Sequence, residues 1–132
     1  MISYRTGNDL DLDAVIDLYR ASTLGLRRPV DDRSRMQQML RNANLVITAW
    51  DGNLLVGISR SLTDFSYATY LSDLAVRESH QRRGIGKELI RLTQEASAPA
   101  SIILLAAPAA EQYYPHIGFA HHPQAWILRT PR

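Results

Sequence analysis

The sequence predicts an α/β domain on a mixed sheet, with element order β-α-α-β-β-β-α-β-α-β over residues 1–132. Three observations carry that reading. A strand at residues 71–76 runs through a polar, glycine-bearing loop into a helix with apolar residues at Ile85, Leu89, Leu92 and Ala96, at intervals of four, three and four. Asp51-Gly52-Asn53 separates two β-rich runs, 45–50 and 54–59, as a hairpin turn does. An alternating run at residues 2–6 precedes two stretches that each start with a capping aspartate.

Gly7-Asn8 ends the first strand, and Asp9 or Asp11 caps a helix with Leu12, Val15 or Ile16, and Tyr19 on its apolar face. Gly25 and Pro29 make residues 23–30 a loop. Asp31 or Asp32 caps a second, short helix whose Met36, Met39 and Leu40 share a face and fill the core. A longer strand follows the hairpin over 65–76. The glycine-turn helix stops near Ala98-Pro99. Residues 101–106 form a short apolar strand, broken by Pro108. Residues 111–116 make a short helical turn ended by Gly118, and 126–129 read as a closing strand.

A chain of 132 residues is one domain with room for a real core. Cysteine is absent, which excludes disulfides, thiolate nucleophiles and cysteine metal sites. That composition suits a reducing cytoplasm, the expected location. No apolar run approaches the ~20 residues of a membrane helix, and the N-terminus has no apolar signal core. Arg82, Arg83 and Arg91 are few and lack interleaved stacking aromatics, which disfavours a nucleic-acid partner. His121 and His122 are neighbours in an extended segment and point to opposite sides, so no metal is expected there. His80 reads as a loop residue.

Gly84 and Gly86 stand where the long helix begins. The first N–H groups of a helix have no internal partner and face the positive end of the macrodipole, a setting that suits phosphate. Glycine lets a pyrophosphate approach such a turn, and Arg82, Arg83 and Lys87 add positive charge. The plainer reading is an ordinary loop with solvated basic residues. A dinucleotide fingerprint fails because Leu89 stands where its third glycine is needed. A P-loop fails because Glu88 follows Lys87, where Ser or Thr is needed.

What remains is Gln81-x-x-Gly84-x-Gly86 between strand and helix. It resembles the acetyl-CoA signature of the GNAT N-acetyltransferase superfamily. The resemblance includes the preceding strand, Tyr70 onward, and recurs in Tyr113-Tyr114 followed by Gly118-Phe119. It implies a GNAT-like acyl-CoA N-acyltransferase fold, with the strand at 71–76 splayed from the strand at 102–106. The pantetheine arm of acetyl-CoA would pair with the backbone of Leu74, Ala75 and Val76. The pyrophosphate would rest on Gln81, Arg82, Arg83, Gly84, Ile85, Gly86 and Lys87. For Leu74 and Val76, core packing is the parallel reading.

The implied chemistry is acetyl transfer to a primary amine of a small molecule or a protein by direct attack on the thioester, without metal. By the same resemblance Tyr114 is the general acid and Tyr113 an aromatic packing residue. Asp73 is a candidate base acting through water, or a structural carboxylate bound to a neighbouring loop. Glu111 and His116 read more simply as surface residues. Arg27 and Arg28 border the acceptor site, where they bind an acidic acceptor or stay solvated. Two departures from the family pattern stand out: Ala107-Pro108-Ala109 where an asparagine is common, and Pro115 directly after Tyr114. The partners expected are acetyl-CoA and an amine, with monomer and homodimer both open. The other function class is a CoA-binding regulatory or interaction domain without turnover.

Overall fold

The computed structural model describes residues 1–131, with Ala109 by its backbone alone. Five strands form one sheet in the order β1-β2-β3-β4-β5: β1 (Ile2–Thr6), β2 (Leu45–Asp51), β3 (Leu54–Thr63), β4 (Ala68–Val76) and β5 (Ser101–Ile103). The first four are antiparallel neighbours, and β5 joins β4 in parallel. The hairpin at Asp51-Gly52-Asn53 forms as expected, with Gly52 at φ +59°.

Helices α1 (Leu12–Arg20) and α2 (Arg33–Asn42) cover one face. Of the capping alternatives, Asp11 accepts from the Asp13 amide and Asp32 from the Arg35 amide. Leu12, Val15, Leu18, Tyr19, Met36 and Leu40 bury their side chains there against Val46, Ile58 and Ala75. Helix α3 (Ile85–Ser97) covers the other face, setting Ile85 and Leu89 against Leu45, Ile47, Ala49 and Val56. Each face removes a continuous apolar stripe from water, the main stabilising term of a sheet covered by helices on both sides.

Four local expectations change. Strand β3 runs on to Thr63 and β4 begins only at Ala68. The Asp64 carboxylate between them accepts from the amides of Ser66, Tyr67 and Ala68, making a tight side-chain-closed turn. The loop at 23–30 opens with a 3-10 turn, Thr23–Arg27, capped by the Ser22 hydroxyl. Gly25 is required there, since a Cβ would lie 2.6 Å from the Tyr19 carbonyl. Strand β5 stops at Ile103 instead of reaching 106. No strand forms at 126–129; Trp126 and Leu128 are 94% and 93% exposed.

The expected helical turn near 111–116 divides into a 3-10 turn, Pro108–Ala110, and helix α4 (Tyr113–His116). Pro115 therefore falls within the first turn of α4, where a missing N–H costs nothing. Among the described residues, no helix is long and apolar enough to cross a membrane.

Candidate active site

Strand β4 has two different edges. Toward β3 it is paired along its length, from Thr69 to Val76. Toward β5 it is paired only at Ala68, Thr69 and Tyr70. Beyond Tyr70 the two chains part, and a cavity of about 100 Å³ opens between them, lined by Leu71, Ser72 and Leu74 on one side and Leu105 and Tyr114 on the other. An open strand edge supplies N–H and C=O groups in register for an extended ligand.

The register of β3 against β4 slips between Arg60 and Ser61, leaving Ser72 without an opposite residue. This bulge frees the Ser72 backbone, and its carbonyl accepts from Arg28 Nη2 at 2.7 Å. Leu74 and Val76 are half-buried and pack toward α3, whereas Ala75 is buried on the α1–α2 face. The packing reading of Leu74 and Val76 therefore holds, and the edge of β4 opposite β3 is unpaired beyond Tyr70.

The glycine turn follows. Gly84 is the N-cap of α3 at φ +79°, with no side chain capping the helix. The amide of Glu88 is the first to find a helical carbonyl, that of Gly84 at 3.1 Å. Among the described residues, the amides of Ile85, Gly86 and Lys87 take no partner, so the helix start is open to an anion. Arg82 is also left-handed, at φ +65°, a strain that tends to mark ligand-holding turns. Arg82, Arg83 and Lys87 are exposed around it.

Three residues of the turn have internal duties. The Ile85 side chain is buried in the α3 core, leaving only its backbone for a ligand. The Gln81 amide donates to the Val76 carbonyl at 2.9 Å and braces the turn against the end of β4. His80 is buried instead of free in the loop: its Nε2 lies 2.9 Å from Asp51 Oδ2, and Ser79 Oγ is 2.7 Å from Nδ1. Arg91 is held by Glu88 and Glu95 on its own helix, which removes it from the basic patch.

Asp73 is completely buried. Oδ1 accepts from Arg28 Nε and Oδ2 from Arg60 Nε, each at 2.6 Å, and the Tyr19 hydroxyl also donates to Oδ2 at 2.6 Å. Burial pushes its pKa up, but the hydrogen bond and charge of Arg60, the Tyr19 hydroxyl and the charge of Arg28 outweigh it, leaving the carboxyl below its ordinary value. A carboxylate so enclosed and so acidic has no reason to take a proton from an acceptor. Its geometry fits the structural alternative, extended well beyond one loop. Arg60 continues to the Met39 carbonyl and Ser72 Oγ, and Arg28 to the Arg27 carbonyl. Asp73 thereby joins α1, the loop after it, α2, β3 and β4. Arg28 is accordingly committed to Asp73 and not a free loop charge, although it lines the cavity.

Tyr114 lines the cavity opposite Leu71 and Ser72. Its ring meets Tyr113 and Phe119 edge-on at 5.3 and 5.4 Å. Burial, and next the neighbouring Tyr113, raise its pKa, while the charge of Arg27 opposes them. The hydroxyl therefore stays protonated at neutral pH. Tyr113 faces the glycine turn: a Cβ on Gly86 would meet its hydroxyl at 3.4 Å. Packing alone had been expected of Tyr113, and no local pattern places its hydroxyl over a turn some thirty residues earlier. The sequence reading passed over Arg60 and gave Tyr19 only a core place; the signal for Arg60 was a lone charged residue inside a strand that is buried from Leu55 to Ser61. Glu111 and His116 are exposed, and His122 accepts from the Gln124 amide. Among the described residues, no three potential metal ligands come together.

Comparison with known proteins agrees with this geometry. A GNAT-family acetyltransferase from Streptococcus pneumoniae superposes with TM-score 0.78 at 25% identity, covering 98% of this chain and 100% of that one. A protein of unknown function from methicillin-resistant Staphylococcus aureus gives 0.82 at 19% identity, covering both chains fully. An aminoglycoside N-acetyltransferase solved with CoA gives 0.76 at 16% identity, covering 98% of this chain and 95% of that one; the last two show a shared fold. No curated protein matches in sequence. The family model for the acetyltransferase (GNAT) domain matches residues 22–126, which include Asp73 with Arg28 and Arg60, the glycine turn and Tyr114. The chain belongs to the GNAT family of acetyltransferases.

Proposed function

We propose that residues 1–132 act as one domain that transfers an acetyl group from acetyl-CoA to a primary amine, in the cytoplasm. One observation carries the reading: an open β4 edge leads from a cavity holding Tyr114 to an uncapped helix start at Gly84. The spacing suits a ligand with a polar, amide-bearing arm and a phosphate end. The backbone of Leu74 and Ala75 would hold the arm, and the amides of residues 85–87 the pyrophosphate, with Arg82, Arg83 and Lys87 adding charge. Bound acetyl-CoA would supply the activated acetyl thioester.

Tyr114 then has a definite task. Its hydroxyl donates a proton to the departing thiolate, which its raised pKa permits. The amine must arrive as its free base, and with Asp73 sealed, solvent takes its proton. Amines of the lysine type have pKa values of about 10, so kcat/KM should rise with pH toward the acceptor's own pKa and fall once Tyr114 ionises. The sealed Asp73 also favours a second reading, a CoA-binding domain without turnover, because among the described residues no carboxylate base lines the cavity.

The phosphate site is tested by thermal shift. Acetyl-CoA at about 100 times its dissociation constant should stabilise the fold by about 2.7 kcal/mol. Gly86→Glu should abolish that gain by placing a carboxylate before the open amides. Gly86→Ala should fold normally, since its Cβ makes only an ordinary contact with Tyr113. A shift that survives Gly86→Glu would place the phosphate elsewhere.

A further inference from the structure

Resting on the acetyltransferase reading, we infer that the acceptor is a small amine that also carries an anionic group, a carboxylate or a phosphate, bound by Arg27 at the cavity mouth. Among the described residues, the charged side chains lining this cavity are Arg27 and Arg28, and no carboxylate lines it. Arg28 is committed to Asp73. It shares that carboxylate with Arg60, so two guanidinium groups face one acid and the cluster keeps a positive charge behind the cavity wall. Arg27 is exposed and, among the described residues, forms no salt bridge. Its backbone is fixed, since its carbonyl accepts from Arg28 Nη1 at 2.8 Å. Tyr114 lines the far wall of the same cavity, and the charge of Arg27 opposes the rise in its pKa.

This charge stands apart from the proposed pyrophosphate site. Arg27 shares the cavity with Leu71 and Ser72, whereas the glycine turn lies beyond Val76. From Ser72 to Val76 an extended strand covers about 13 Å. A guanidinium fork matches a carboxylate or phosphate in two parallel hydrogen bonds. Ammonium groups of a polycation would meet like charge in the same place. A cavity of about 100 Å³ also lies well below the ~300–1,000 Å³ of pockets for drug-sized ligands.

The test uses the full chain and matched pairs: an α-amino acid against its carboxamide, and aminoethyl phosphate against ethanolamine, with sisomicin as the polycation. Binding is measured by calorimetry on protein saturated with CoA, and rates with acetyl-CoA are counted per free amine. The anionic member of at least one pair should bind at least ten-fold tighter and show a correspondingly lower KM; the pair that responds separates carboxylate from phosphate. Arg27→Ala should erase the difference, Arg27→Lys should restore part of it, and the KM for acetyl-CoA should not move. Equal binding within both pairs, a preference for sisomicin, or an Arg27→Ala variant that slows every amine by one factor would overturn the inference. Lack of an acetyl-CoA thermal shift would instead sink the acetyltransferase reading; calorimetry on the chain alone would still decide whether Arg27 holds anionic amines.

Discussion

Asp73→Ala should destabilise the fold by about 3–5 kcal/mol, because removing one partner leaves buried charge uncompensated. Two guanidinium groups, one 9% and the other 20% exposed, and the buried Tyr19 hydroxyl would lose their common acceptor. A typical domain has about 5–15 kcal/mol in all, so this substitution should bring the chain close to unfolding at body temperature. Denaturant melts read it directly. Asp73→Asn keeps the shape but not the charge, and should fall between wild type and Asp73→Ala. The folded pKa of Asp73 is depressed, so its contribution is present above the unfolded carboxylate value of about 3.9 and is lost as pH falls through the folded value. The loss on mutation should therefore be full at neutral pH and shrink in strong acid. A melt unchanged by Asp73→Ala would contradict the structural role and return the residue to the list of bases.

Tyr114→Phe should lower kcat by about 10²–10⁴-fold while leaving stability near wild type. The ring, with its edge contacts to Tyr113 and Phe119, is retained, and only the hydroxyl is lost. Acetyl-CoA affinity should hold, and the high-pH fall in rate should move or vanish. Tyr113→Phe is the control: its hydroxyl sits by Gly86, away from the proposed reacting end, so it should affect acetyl-CoA binding more than kcat. An unchanged kcat in Tyr114→Phe, with chemistry rate-limiting, would remove Tyr114 as the acid.

The strand, glycine turn and helix were legible because their signals are local: apolar spacing, Gly84 at a left-handed cap, and Asp11 and Asp32 at helix starts. The Asp-Gly hairpin was legible for the same reason. The Asp73 cluster was not, because its partners lie 13, 45 and 54 residues away and meet only when α1, the following loop and β3 pack on β4. The slip at Arg60–Ser61 was equally hidden; alternation of residue types does not announce which strand carries an extra residue. The closing strand failed for a tertiary reason. Its apolar run is real, but a strand needs a partner edge, and none pairs with residues 126–129, where Trp126 and Leu128 stay exposed.

The central claim is acetyl transfer at the parting of β4 and β5, and amine-dependent release of free CoA thiol measures it most directly. With acetyl-CoA and a panel of neutral, anionic and polycationic amines, the account predicts thiol release that saturates in at least one amine. An equal amount of N-acetylated product should form, and both should fall together in Tyr114→Phe. Acetyl-CoA binding with no amine-dependent thiol release across the whole panel would contradict it and leave a CoA-binding domain without turnover.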